Sequence, residues 1–202
     1  MSTQAPLQLD ARTLSFEEFL EAYDGVHAEW VDGRVRLVSP GNERQSDLSL
    51  WLGALVRYWA DLHDLGRTYL PNYSMKLSDG TAREPDVFFV RSEHLDRVRG
   101  TYVDGPADLV IEILSPSTRG VDRGEKFYEY EQAGVAEYWL IDPAREAAEA
   151  YRLDASGRYE LVALGDPAVL RSNVLPGLEI PAPWLWQKPL PSLPWVFRQW
   201  EA

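Results

Sequence analysis

Residues 108–114, DLVIEIL, constrain this chain more than any other stretch. Side chains alternate along an extended segment, so Val110, Glu112 and Leu114 face one way and Leu109, Ile111 and Ile113 the other. Apart from Glu112 both faces are apolar, which is the pattern of a central strand covered on each side. Such a strand needs packed layers above and below it, and this points to an α/β domain with a mixed sheet. A length of 202 residues, 45% of them apolar and 26% charged, suits one globular domain with a substantial core. Glu112 is the anomaly. A buried, unpaired carboxylate is costly or takes up a proton, so an Arg or Lys partner, a web of hydrogen bonds or a bound cation should compensate it.

The rest of the composition excludes several classes. There is no cysteine, which rules out disulfides and thiolate metal sites and makes a cytoplasmic location the simplest expectation. The three histidines, His27, His63 and His94, form no close helical pair, so a His-based zinc motif has no support. No apolar run approaches the roughly 20 residues needed to span a bilayer, and the opening MSTQAPLQLD lacks the features of a signal peptide. The net charge of −12 opposes nonspecific adhesion to nucleic acid, which depends on phosphate neutralisation by Lys and Arg.

Along the chain, Ser15 followed by Glu18 forms a capping box for a helix over SFEEFLEA. Asp32-Gly33 between two strand-like runs predicts a hairpin. Leu48, Leu52, Leu55 and Trp59 recur at helical spacing in residues 43–64, with Gly66 as the expected stop. Strands are expected at 67–70, 73–77, 86–90 and 137–142, with a turn at Ser78-Asp79-Gly80. Between them, SEHLDRVRG reads as a short polar helix or loop. Asp122 is expected to cap a helix running to about Ala133 and closed by Gly134. A further hairpin surrounds Ser156-Gly157. The C-terminal stretch is dense in proline and carries Trp184, Trp186, Trp195 and Trp200, which are too apolar to leave in water and should pack on this domain or on a second subunit.

Three ionisable positions carry the candidate chemistry. Asp86, in REPDVFFV, leads directly into an apolar strand. Alone it reads as a turn residue, but two carboxylates entering neighbouring buried strands repel and raise one another's pKa. A divalent cation such as Mg²⁺, which takes hard oxygen ligands and retains waters, relieves that conflict. Lys126 lies early in the helix after the Glu112 strand and shares a face with Tyr130. It could orient an attacking water or neutralise transition-state charge, or it could be a solvated surface lysine beside Glu125 and Glu129.

PDVFFV, DLVIEILSPST and DRGEKFYEYEQAGVAEYWLIDP, with AEWVDGRV earlier and SNVLPGLEIP later, resemble the Uma-two family of bacterial restriction-endonuclease-like proteins, within the PD-(D/E)XK nuclease superfamily. The resemblance covers roughly residues 14–181 and is most specific over 108–143. It implies a restriction-endonuclease-like fold, a mixed central β-sheet flanked by helices, over residues 1–183, with 184–202 as an appended Pro/Trp-rich tail. It also implies a homodimer and a Mg²⁺-dependent phosphodiesterase site, with Mn²⁺ as the alternative ion. Position by position, Asp86 becomes the PD aspartate and Glu112 the acidic residue of the second half-motif. The carbonyl of Ile113 becomes a backbone metal ligand, and Glu29, in AEWVDG, an acidic residue completing the site. Leu114 stands where the half-motif has lysine, and Lys126 takes over that function from the following helix. The family's histidine near the start of the long helix is replaced here by Glu43-Arg44-Gln45.

Two functions from different classes follow. One is a metal-dependent endonuclease hydrolysing DNA phosphodiester bonds, with Asp86, Glu112, Lys126 and Glu29 as its catalytic residues. The other is a non-catalytic homo-oligomeric binding or regulatory module on a nuclease fold, which the acidic charge favours. A metal-dependent hydrolase of a smaller phosphoester shares the residues of the first. The geometry separates them: catalysis needs Asp86 and Glu112 to converge with Lys126 at hand, whereas Arg83 or Arg123 bridging Glu112 would mark a structural ion pair.

Overall fold

A computed structural model describes residues 13–38 and 41–201; the expectation for the opening MSTQAPLQLD lies outside the described residues. The chain begins with helix α1 (Phe16–Ala22), closed at its start by the Ser15/Glu18 capping box. Strands β1 (Ala28–Val31) and β2 (Arg34–Leu37) form the expected hairpin, with Asp32 and Gly33 both at positive φ as a two-residue turn requires. Helix α2 (Glu43–Leu62) follows, then β3 (Gly66–Tyr69), β4 (Ser74–Ser78), β5 (Thr81–Arg83) and β6 (Val87–Arg91). After a 3₁₀ turn at Ser92–Arg97 come β7 (Tyr102–Asp104) and the central strand β8 (Leu109–Ile113). Helices α3 (Arg119–Arg123) and α4 (Glu125–Ala133) lead into β9 (Glu137–Asp142). The hairpin β10 (Ala147–Leu153) and β11 (Tyr159–Val162), the short β12 (Val169–Arg171) and β13 (Glu179–Pro181), and helix α5 (Leu193–Trp200) complete the chain.

The result is a mixed α/β architecture with two principal sheets. One has the order β11-β10-β9-β8-β6-β3, with β8 parallel to β9 and antiparallel to β6. The other has the order β2-β1-β5-β4-β7. The alternation expected for 109–114 is realised: Leu109, Ile111 and Ile113 pack with Leu48, Leu52 and Leu55 of α2, while Val110 and Leu114 pack with Tyr130 of α4 and Tyr138 of β9. Helix α2 therefore covers one face of β8 and α4 the other. A third cluster, Phe16, Phe19, Trp30, Val35 and Ala82, seats α1 on the second sheet.

Several details differ from the sequence expectation, among them the short β12–β13 pair, which no pattern announced. A single mixed sheet is expected, but a second one forms; its β5 and β7, at three residues each, carry too little alternation to register. Gly66 opens β3, and α2 ends earlier under His63. The single helix expected after Asp122 is two helices broken at Gly124, where an added Cβ would meet the Gly120 carbonyl at 2.8 Å. Asp122 lies inside α3, buried, and caps nothing.

The C-terminal tail packs against this same domain. Leu185 and Val196 are fully buried in the α2 core, and Tyr58 stacks on Phe197 with ring centroids 3.9 Å apart. Trp51 and Trp59 of α2 donate their indole N–H groups to the carbonyls of Pro191 (2.8 Å) and Pro176 (3.1 Å). Truncating Leu185→Ala should therefore destabilise the whole domain by about 2–5 kcal/mol, as for any core leucine. Urea unfolding checks this, and an unchanged midpoint would mean that the tail is dispensable to the core.

Candidate active site

The site forms where β6 and β8 part. Their pairing sets Val87 opposite Ile111, and the same register continued by two residues brings Pro85 opposite Ile113. Proline has no N–H, so it cannot return a ladder hydrogen bond to the Ile113 carbonyl. Side chains fill the gap. Asp86 Oδ2 accepts the Ile113 N–H at 2.7 Å, and the Ile113 carbonyl accepts the Gln45 side-chain amide at 3.0 Å. Gln45 is itself fixed in the capping box at the start of α2. The Ser49 hydroxyl holds the Asp86 carbonyl at 2.8 Å.

Beyond this gap lies a cavity of about 320 Å³ lined by Asp86, Glu112, Ile113 and Lys126 and also by Gln45, His27, Glu84 and Asp122. Four of the five sequence-predicted residues thus line one cavity. Glu112 is buried, and its Oε1 accepts the Lys126 ammonium at 2.9 Å and the Tyr130 hydroxyl at 2.8 Å. Both donors project from one face of α4, as their four-residue spacing requires. Lys126 is no surface lysine: its Nζ also lies 2.9 Å from Glu29 Oε1 and 3.5 Å from Asp122 Oδ1. Glu29, the fifth residue, stands behind Lys126 on a separate cavity of about 30 Å³ and reaches the main one only through that ammonium. Its other oxygen accepts Arg83 Nη1 at 2.6 Å. Neither Arg83 nor Arg123 bridges Glu112, since Arg83 pairs with Glu29 and Arg123 with Glu149.

The electrostatics follow from burial against pairing. Burial pushes the Asp86 carboxyl up to about 6, only partly opposed by the Ile113 N–H and Lys126. Burial likewise raises Glu112 well above the ordinary carboxylate range, with Asp122 and Asp86 adding to the effect against the pull of Lys126. Burial disfavours the Lys126 ammonium, but Glu112, Glu29 and Asp122 outweigh it and hold the lysine charged. Glu29 is desolvated too, yet Lys126 and Arg83 together hold it down at about 2. One ammonium thus serves three carboxylates.

His27, Glu84 and Asp122 were not singled out from the sequence as site residues. Asp122 was obscured by its expected role as a helix cap. The signal for the other two is the two-residue period of extended chain: His27 shares a side with Glu29, and Glu84 shares a side with Asp86. His27 Nε2 lies 3.3 Å from Glu84 Oε2. Glu84 also receives the Asn72 N–H and the Ser74 hydroxyl, each at 3.3 Å.

Burial lifts Glu84 to about 7 from 4.5. A carboxyl raised on folding stabilises fully below its unfolded pKa, and that contribution is lost as pH climbs through the folded value. Glu84→Gln should consequently match the parent near pH 4.5 and exceed it at pH 8, by up to about 3 kcal/mol at 1.36 kcal/mol per pKa unit. Denaturant unfolding of both proteins across that range measures the difference; a constant offset would mean that Glu84 is not the titrating group.

Comparison with known proteins agrees with this architecture. A family model described as "Putative restriction endonuclease" (Uma2) matches residues 16–183. An uncharacterized protein of Synechocystis sp. is 29% identical over 150 residues, covering 71% of this chain and 76% of that protein. Among solved structures, a protein of Anabaena variabilis titled "a putative nuclease belonging to DUF820" superposes with a TM-score of 0.71 at 17% identity, covering 86% of this chain and 97% of the other. Among the described residues, no helix is long and apolar enough to cross a membrane. Because the family model spans most of the chain and its matched region contains Asp86, Glu112 and Lys126, the protein belongs to the Uma2 family.

Proposed function

We propose that this chain is a metal-dependent endonuclease acting on DNA, with Asp86 and Glu112 as the metal-binding carboxylates and Lys126 as the cationic group at the reacting phosphate. The observation that carries the reading is the convergence of Asp86, Glu112 and Lys126 on one cavity from three separate parts of the chain. The family description supports the nuclease class, and DNA is the substrate that the word restriction implies.

Among the described residues no group of three or more His, Cys, Asp or Glu side chains forms a ready metal cage. Mg²⁺ does not require one, since it is held by one or two carboxylates and keeps its waters. Asp86 and Glu112 are hard oxygen donors, both raised by desolvation and by like charges, which a cation would relieve. The Ile113 carbonyl is engaged by Gln45 but retains a second lone pair. The residues present therefore fit Mg²⁺ or Mn²⁺. Such an ion, when bound, polarises a phosphoryl oxygen and makes water a stronger nucleophile.

The chain's own groups do the rest. Asp86 is held in orientation by the Ile113 N–H and Glu112 by the Tyr130 hydroxyl, so neither carboxylate has to reorganise. Lys126 supplies positive charge where the pentavalent phosphate accumulates negative charge. Glu29, ionised and fixed between Lys126 and Arg83, holds that ammonium in place without touching substrate. Homodimerisation belongs to the same proposal and is read by sedimentation.

A second reading draws on one feature. Lys126 neutralises Glu112 within the protein, and the chain carries −12, so a non-catalytic oligomeric module needs no metal. Incubation of plasmid and linear DNA with Mg²⁺ or Mn²⁺ separates the two. Glu112→Gln, Asp86→Asn and Lys126→Ala should each lower cleavage by about 100-fold or more while the proteins remain folded. Equal cleavage by parent and variants would reject the assignment. Parent activity should also fall on acidification through about pH 6, where Asp86 takes up the proton that competes with the cation.

A further inference from the structure

Arg83, the last residue of β5, is fully buried and lines neither cavity around Lys126. It cannot meet a substrate there, so any part it plays in the site must pass through other residues. Its guanidinium makes a side-on pair with Glu129, Nε to Oε2 at 2.7 Å and Nη2 to Oε1 at 2.8 Å. A second edge reaches Glu29 Oε2 at 2.6 Å, and Nη2 touches Glu125 Oε2 at 3.3 Å. Glu125 and Glu129 stand one turn apart on α4, the helix that carries Lys126 between them. Glu29, through its other oxygen, stands against the Lys126 ammonium.

We infer that Arg83 is a positioning residue that sets where the Lys126 ammonium stands, gripping both Glu29 beside it and the helix that bears it. The contacts close a ring: Arg83 to Glu29, Glu29 to Lys126, Lys126 along α4 to Glu129, and Glu129 back to Arg83. A closed ring of short contacts leaves Nζ one place, over Glu112 Oε1. The planar fork makes this possible because it donates in two directions at fixed angles, which a lysine cannot reproduce. Stability alone gives no reason for the arrangement, since well-packed apolar side chains generally serve a core as well as buried ion pairs do. Without Arg83, Glu29 keeps Lys126 as its single strong partner. The ring is then open: Glu29 and α4 are no longer tied together, and the ammonium loses its fixed place over Glu112.

The inference rests on the reading of Lys126 as the cation at the reacting phosphate, but its test does not depend on cleavage alone. The sequence has only three lysines, Lys76, Lys126 and Lys188, so acylation by acetic anhydride, read peptide by peptide in a mass spectrometer, reports on Lys126 with the other two as references. Arg83→Gln, Arg83→Lys and Glu129→Gln are compared with the parent; the last removes the far arm of the ring without altering any residue of the cavity wall. Relative labelling of Lys126 should rise about tenfold in Arg83→Gln, and by less in the other two, in proteins that still unfold cooperatively. On DNA with Mg²⁺, kcat should fall while KM stays near the parent's. Parental labelling of Lys126 in folded Glu129→Gln and Arg83→Lys would overturn the inference, whether or not Arg83→Gln folds. A parent that cleaves no DNA with either ion would count against the nuclease reading instead, and the labelling would still decide the role of Arg83.

Discussion

The Lys126 ammonium, buried between Glu112 and Glu29 at 2.9 Å from each, is the contact around which the rest of the molecule is organised. A carboxylate in the middle of a central strand is tolerable only when something answers its charge, and here the answer comes from α4, packed across the sheet. The Tyr130 hydroxyl, one turn along, takes a second share of the same oxygen. In consequence the position of α4 on the sheet, the ionisation of the site and the burial of β8 are one problem with one solution. Moving the helix by a fraction of a turn would leave both charges desolvated and unpaired.

The cavity exists because a ladder stops. Pro85 ends the pairing of β6 with β8, and the freed backbone groups of Ile113 are taken up by Asp86 and Gln45. The second sheet then brings β1 and β5 alongside, carrying Glu29 and Arg83 to the back of Lys126 and His27 and Glu84 to the cavity wall. Polar side chains concentrate where regular hydrogen bonding fails, since buried backbone groups must be satisfied by something. The same irregularity that interrupts the sheet creates a place for chemistry.

Much of this was legible beforehand, and what was not has identifiable causes. Period-two alternation in residues 109–113 correctly assigned Glu112 to the face shared with Val110 and Leu114, because a strand buried on both sides leaves no freedom of register. The Asp32-Gly33 turn and the Ser15 capping box were equally readable, being decided within four residues. Asp122 was misplaced because cap chemistry is identical whether a helix starts at that residue or breaks after it. The break at Gly124 depends on how closely one turn approaches the next, which no local pattern encodes. Strands β5 and β7 escaped because three residues cannot display a period.

By itself, then, the order of residues determined most of the longer elements, the two-sided burial of β8, and the presence of Asp86, Glu112 and Lys126 as ionisable groups set against apolar surroundings. Those properties arise from backbone sterics and from alternation over a few neighbours, so they are local. Only the tertiary structure decided that Lys126 answers Glu112, that Glu29 stands behind it in the grip of Arg83, and that His27 and Glu84 share the cavity. These groups lie far apart along the chain, and ion pairing in a desolvated interior depends on ångström-scale distance. That distance is set by how the two sheets and α4 pack.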